Sequence, residues 1–356
     1  MKINIILPGW PAPIGGFRVI YEYSNQLKAL GHDVEIVHIL YLKSVGLPKN
    51  LLKKFRRILG LIKIIIKKKN LDWFEIDPNV KMKYLYKLEE SKISNADCII
   101  ATAWQTANEI KKFSRKKGKK FYFVQDFYPF MGKKKEITNT WKLDFNKIVI
   151  SDWLLKKVKR YSKNKKTILI KNAVNHQLFY REKKIKKIKN SICFMYSKGK
   201  YKNSNAAFEI LKSIKKKKSD LKVFIFGKDK INFPLPEWMH FEGKLSHTEL
   251  LELYNKSEIF LSTSTLEGGA GPVGEAMLCE CAVITNDTKG SRDFAINNFT
   301  SLVSKNHNNK DIENKIMKVL SNSKLKKKLI KNAKKNIKKF NWKSSALKLE
   351  SFLKNA

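Results

Sequence analysis

The sequence predicts an α/β protein made of two doubly wound domains on parallel sheets. Three observations carry that expectation. Short apolar runs alternate with helical patterns in two separate series along the 356 residues, as expected of βαβ units whose crossover helices cover both faces of a parallel sheet. A basic, strand-poor stretch follows Lys171-Asn172-Ala173-Val174-Asn175 and divides the two series. Late in the chain, a Gly/Pro-rich loop with a glutamate at either end joins a strand-like run to a helix-like run.

The first series opens with Ile3 to Leu7, a continuous apolar run that suits a buried strand. Pro8 to Gly16 reads as a loop ending in Gly15-Gly16, and Arg18 to Leu30 as an amphipathic helix with Val19, Tyr23, Leu27 and Leu30 on one stripe. Gly31-His32-Asp33 stops that helix, and Val34 to His38 is the next strand. Further strand-like runs are Cys98–Ala101, Phe121–Val124 and Lys147–Ile150. The second series comprises Ile192–Tyr196, Leu221–Gly227, Ile259–Thr263 and Ala282–Thr285, and the tail from Asn341 to Leu353 reads as a final helix. Leu51 to Lys69 stands apart: it has no acidic residue, and its Leu/Ile clusters alternate with Lys/Arg, the pattern of a basic interfacial helix.

The most informative stretch is Thr265 to Met277, in which Glu267 and Glu275 bracket Gly268-Gly269-Ala270-Gly271-Pro272-Val273-Gly274. A glycine loop running into a helix N-terminus brings backbone amides close to a ligand and favours anions such as phosphate. The two carboxylates can accept hydrogen bonds from hydroxyls. Hydroxyls together with phosphate describe a nucleotide-sugar. The same segment contains a literal G-x-G-x-x-G, followed by a strand-like run and Asp287, which imitates a dinucleotide fingerprint. Against that reading, Ser264 to Gly268 intervene between the strand and the first glycine, and the motif lies late in the chain instead of opening its domain.

Composition narrows the classes. At 43% hydrophobic and 11% aromatic residues, the chain is globular. The net charge of +43 invites nucleic acid or a membrane surface. The cations are overwhelmingly lysine and spread along the chain, so an anionic membrane surface is the better partner and nucleic acid is not expected. Cys98, Cys193, Cys279 and Cys281 form no ligand or disulfide pattern, and the six histidines read as turn or surface residues. No D-x-D triplet occurs, so neither a metal nor another cofactor is expected. With no signal peptide and no apolar run long enough to span a membrane, the expected location is the cytoplasm, peripherally on the inner face of the cell membrane.

With these elements in place, the chain resembles glycosyltransferase family 4, and among its members those that build bacterial cell-surface polysaccharides, including rhamnosyltransferases. Glu267 and Glu275 match the family's E-x7-E signature, in the setting Ser264-Thr265-Leu266-Glu267-Gly268 and Pro272-Val273-Gly274-Glu275-Ala276-Met277. Leu250 to Tyr254 looks like the helix before that strand, and Pro8 to Gly16 like the N-terminal glycine loop. Ile100 to Trp104 and Tyr122 to Asp126 carry the likeness to the polysaccharide enzymes. The resemblance implies a GT-B fold of two facing Rossmann-like domains, residues 1–172 and 173–338, with a C-terminal helix over 339–356 crossing back onto the first.

It also implies a retaining, metal-independent transferase that passes a sugar from a nucleotide-diphosphate donor to a glycan or lipid-linked acceptor. Glu275 would take the ribose hydroxyls and Glu267 would face the donor sugar. The amides of Gly268, Gly269, Ala270, Gly271, Pro272 and Val273 would hold sugar and diphosphate, while Gly15 and Gly16 let the opposing loop approach the phosphates. Lys202 falls where the family has a lysine that neutralises the diphosphate. Ser197 stands where the family has arginine, with Lys198 or Lys200 as alternative cations, and Asn203 replaces a glycine. Two other readings remain: a nicotinamide-dependent enzyme, and a non-catalytic basic protein that binds nucleic acid or membrane.

Overall fold

The computed structural model describes residues 1–42, 59, 71, 73–127, 134–162 and 166–356. The basic helix expected over 51–69 lies outside the described residues, save position 59. The chain forms two compact units, Met1–Asn172 with Trp342–Ala356, and Ala173–Asn341.

In the first unit the strands are β1 (Lys2–Pro8), β2 (Asp33–Tyr41), β3 (Lys81–Lys87), β4 (Cys98–Ala101), β5 (Lys119–Val124), β6 (Asn146–Val149) and β7 (Thr167–Leu169). They form one sheet in the order β3-β2-β1-β4-β5-β6-β7, and every pairing is parallel. Strand β1 is central and its interior is wholly buried, as a continuous apolar run requires when helices cover both faces. Helix α1 (Gly15–Ala29) follows it. The last helix of the chain, Trp342–Asn355, packs on this unit: Trp342 meets Tyr23 edge-on at 5.2 Å, and Phe352 meets Phe121 at 5.8 Å.

Two expectations change here. Helix α1 begins at Gly15, three residues before the expected start at Arg18, so Gly15 and Gly16 lie in its first turn and the preceding loop ends at Ile14. Glycine is costly inside a helix but tolerated at its N-terminus, where side-chain packing contributes least. Neither His32 nor His38 is a surface residue; both are buried. Within β2, His38 has its Nδ1 2.9 Å from the Gly9 carbonyl and its Nε2 2.9 Å from the Tyr21 hydroxyl. A carbonyl can only accept, so Nδ1 carries the proton and Nε2 accepts from Tyr21. Burial pulls the His38 pKa down to about 4, which keeps the ring neutral.

The second unit holds β8 (Ser191–Met195), β9 (Lys222–Phe226), β10 (Met239–Gly243), β11 (Ile259–Ser262), β12 (Ala282–Asn286) and β13 (Ser301–Ser304). Their order is β10-β9-β8-β11-β12-β13, again all parallel, the arrangement of a dinucleotide-type Rossmann sheet. Strand periodicity divides the core between two faces. Ile192, Phe194, Val223, Ile225, Ile259 and Leu261 pack into one cluster with the helices Ser204–Lys215 and Asn309–Ser321. Their neighbours Cys193, Phe224, Phe226 and Phe260 point the other way, against Leu253, Val273, Ala276 and Ile337.

Candidate active site

In a parallel sheet of this order, the crossovers leaving β8 and β11 run to opposite faces. A crevice therefore opens beyond the carboxyl ends of those two adjacent strands. Lys202 lies on the segment leaving β8, and Glu267 on the segment leaving β11. The Lys202 ammonium and the Glu267 carboxylate are 2.6 Å apart, with side chains only 16% and 12% exposed.

The turn that carries Lys202 is held in place from β11. The Thr265 amide donates to the Tyr201 carbonyl at 2.8 Å, and the Thr263 hydroxyl donates to the Asn203 carbonyl at 2.9 Å. Asn203 adopts a left-handed conformation, φ 51° and ψ 42°, as the chain enters the helix Ser204–Lys215. Asparagine is the non-glycine residue best suited to that geometry, so Asn203 makes this turn without a glycine. Ser197 supplies no cation. Its hydroxyl donates to Asp229 at 3.0 Å, and the Lys198 amide donates to the same oxygen at 2.9 Å. That amide and the Ser197 hydroxyl hold the Asp229 carboxyl below its usual range. The side chains of Lys198 and Lys200 are exposed, whereas Lys202 is the cation paired to the loop glutamate.

The loop itself rests on the segment after β12. The Glu267 amide donates to the Thr288 carbonyl at 3.1 Å. A Cβ added to Gly290 would lie 2.3 Å from the Glu267 carbonyl oxygen and 2.5 Å from that of Gly268, so only glycine permits this approach. Helix α1's counterpart here is the helix Gly271–Leu278, which starts four residues before the helical run read from Glu275. Pro272 sits in its first turn, where a missing N–H costs nothing. Glu275 is therefore in the second turn, 5% exposed, and accepts from the Tyr254 hydroxyl at 3.4 Å. Burial, with the Glu275 carboxylate beside it, pushes the Tyr254 pKa well up, so the phenol stays a donor.

The set of amides expected to face a ligand becomes smaller. Pro272 has no N–H, and the Val273 amide already donates to the Ala270 carbonyl at 3.1 Å. The amides of Gly268, Gly269, Ala270 and Gly271 have no partner among the described residues. They lie at the positive end of the helix dipole, which suits an anion. In the first unit, the amides of Gly15 and Gly16 open α1 in the same way. Space beside Gly15 is open, and the Gln125 side chain lies 3.5 Å from where a Gly16 Cβ would be. Among the described residues, no group of three His, Cys, Asp or Glu side chains is placed to ligate a metal. Sequence reasoning gave no role to Tyr254, Thr263, Thr265, Asp229 or Gly290. Tyr254 and Thr265 fall within stretches that carry the resemblance, but nothing in those stretches marks their side chains; Thr263 and Asp229 carry no motif, and Gly290 is marked only by a turn-like Lys289-Gly290-Ser291.

These features define a class: an α/β protein of two parallel-sheet, Rossmann-like units that matches glycosyltransferases of the GT-B fold. Within it, residues 176–336, most of the second unit, match the family model described as glycosyl transferases group 1. An uncharacterized glycosyltransferase of Methanocaldococcus jannaschii is 26% identical over 96% of this chain and 95% of its own length. A Campylobacter jejuni N,N'-diacetylbacillosaminyl-diphospho-undecaprenol alpha-1,3-N-acetylgalactosaminyltransferase is 33% identical over 27% of this chain and 25% of its own. Among solved structures, sucrose-phosphate synthase of Thermosynechococcus elongatus superposes with a TM-score of 0.77 at 14% identity, covering 99% of this chain and 98% of that one. Anabaena HepE in complex with UDP-glucose superposes at 0.78 and 12% identity, covering 100% of both. At these identities the solved structures show the fold alone.

Proposed function

We propose that this chain is a retaining, metal-independent glycosyltransferase of the family 4 kind. It transfers a sugar from a nucleoside-diphosphate donor to a glycan or lipid-linked acceptor in cell-surface polysaccharide synthesis. The observation that carries the reading is the half-buried Lys202–Glu267 pair beyond the ends of β8 and β11, beside a helix N-terminus with four amides that have no partner among the described residues. UDP-glucose in the HepE structure and the diphospho-undecaprenol acceptor in the Campylobacter relative's name fit the two substrate classes.

The chemistry follows from charge. Departure of a nucleoside diphosphate builds positive charge at the anomeric carbon and negative charge on the leaving phosphate. Fixed positive potential at that phosphate lowers the barrier. Lys202 and the amides of Gly268 to Gly271 supply it. Without a donor, Glu267 neutralises Lys202; an arriving diphosphate takes over the ammonium and leaves Glu267 to face the sugar. Glu275, held by Tyr254, accepts the ribose hydroxyls. Retention follows front-face attack, in which the leaving phosphate receives the acceptor's proton and no protein base is required.

Incubation with a library of nucleotide-sugars, read by mass spectrometry, tests the reading. Nucleoside diphosphate should be released from one donor class, with activity persisting in excess chelator. Thermal shifts should appear with nucleoside diphosphates. A shift with nicotinamide cofactors and none with any nucleoside diphosphate would overturn it.

A further inference from the structure

The helix Ser323–Ile337 buries Leu329, Ala333, Asn336 and Ile337 and contains no acidic residue. Its solvent side is made of a single residue type. At 3.6 residues per turn, Lys324, Lys327, Lys328, Lys331, Lys335 and Lys338 fall within roughly 100° of the helix circumference, and no other residue shares that arc. All six are exposed. The helix's ion-paired lysines lie off the stripe: Lys326 bonds Glu258 at 2.5 Å and Lys334 bonds Glu280 at 2.7 Å. The six on the stripe have no acidic partner among the described residues. The stripe is about 21 Å long at 1.5 Å per residue.

A second feature adjoins it. Asn332, on the flank of the stripe, donates through Nδ2 to the Phe299 carbonyl at 3.0 Å. This ties the turn Ile296-Asn297-Asn298-Phe299 to the helix. Ile296 and Phe299 are 41% and 45% exposed, two of the few large apolar side chains that face solvent. The turn is fixed by the Phe299 amide donating to the Ile296 carbonyl at 3.1 Å, with Asn298 in a left-handed conformation. An aromatic and a branched aliphatic side chain are thus held at the edge of a row of ammonium groups that have no acidic partner among the described residues.

We propose that this face docks the second unit on an anionic lipid bilayer. The lysine stripe lies along the headgroups, and Ile296 and Phe299 enter the boundary with the acyl chains. The stripe is complementary to a diffuse negative surface: lysine is a point charge without the planar fork that reads individual phosphates, and each lysine near such a surface adds attraction that falls off within a Debye length. The two apolar side chains supply the salt-insensitive part. The inference does not depend on the reaction proposed above.

The experiment is vesicle co-sedimentation of the full chain, with phosphatidylglycerol/phosphatidylcholine vesicles against phosphatidylcholine alone. Three variants are compared: Lys324, Lys327, Lys328 and Lys331 each replaced by glutamine; Ile296→Ser with Phe299→Ser; and a charge-matched control with Lys111, Lys112, Lys116 and Lys142 replaced by glutamine. Circular dichroism verifies folding. The stripe variant should lose about tenfold or more of its partitioning into anionic vesicles, and the control should lose no more than a few-fold. The apolar variant should lose the binding that survives at high salt. Equal losses in the stripe and control variants would show that the charge acts diffusely and overturn the proposal. So would anionic-vesicle binding indifferent to the apolar variant, or stripe-dependent binding of a single-stranded oligonucleotide stronger than binding to vesicles.

Discussion

On the proposed reaction, replacing Gly290 with alanine should disable the loop Glu267–Gly271 while leaving the protein folded. Gly290 does not have positive φ, so alanine is conformationally allowed and the effect is steric. The new Cβ would sit 2.3 Å from the Glu267 carbonyl oxygen, 2.5 Å from that of Gly268 and 2.7 Å from the Gly268 carbonyl carbon. All three are backbone atoms that cannot rotate away. Restoring an ordinary contact moves the loop by about 1 Å, more than the tolerance of the 2.6 Å Lys202–Glu267 pair. A displacement of that size at a reacting centre costs about 100-fold in rate. Overpacking costs about 1–3 kcal/mol of stability, partly offset by about 0.4–1 kcal/mol from the reduced freedom of the unfolded chain. The assay pairs kcat/KM for sugar transfer with urea unfolding. A variant destabilised by that amount whose kcat/KM stays within a few-fold of wild type would refute the argument that the loop's seat on Gly290 sets the reactive geometry.

Glu275→Gln keeps the side-chain volume beside Tyr254 but removes the charge. On the proposed reaction it should weaken binding of the nucleoside diphosphate that the protein takes by about 1.5–3 kcal/mol in calorimetric titration, with secondary structure intact. Lys202→Met should lower kcat about 100- to 1000-fold and change donor affinity less, because in the proposed mechanism the cation acts mainly on the leaving group; steady-state kinetics separate the two. His38 gives a pH signature. Its folded pKa of about 4 lies below the ordinary 6.5, so the unfolded chain takes up the proton first. The stability it contributes is present above pH 6.5 and declines by up to about 3 kcal/mol as pH falls to 4. His38→Gln should flatten that part of the profile of unfolding free energy against pH.

The central strands were readable because both faces are covered. Cys98-Ile99-Ile100-Ala101 and Ile259-Phe260-Leu261 are unbroken apolar runs and appear as β4 and β11. The edge strands were not. In β3, Lys81-Met82-Lys83-Tyr84-Leu85-Tyr86-Lys87 places lysines along an open margin, and β7 is only three residues long. Local composition does not set such strands apart from loops; pairing with a neighbour makes them. The loop between β11 and the next helix was legible because a Gly/Pro-rich run separates a strand pattern from a helical one. The helix start at Gly271 was hidden because Gly-Pro-Val-Gly reads as loop, whereas proline in the first turn is a helix-starting position. His38 was misread for a related reason: nothing adjacent in sequence shows that Gly9 and Tyr21 converge on its two ring nitrogens.

The last helix has a bearing on the order of assembly. Residues 173–341 form a unit that is continuous in sequence, while the first unit is interrupted by it and finished by Trp342–Ala356. Trp342 against Tyr23, Glu350 2.9 Å from His32, and buried Leu349 and Leu353 are contacts that residues 1–172 cannot make by themselves. As the chain leaves the ribosome, the part made first therefore waits with an apolar surface uncovered while the part made second already has every strand of its sheet. Loss of the final helix would injure the end of the protein farthest from it in sequence. A nascent chain stalled before Trp342 presents a finished second unit joined to an unfinished neighbour, and that unfinished neighbour is the species a holding chaperone would recognise.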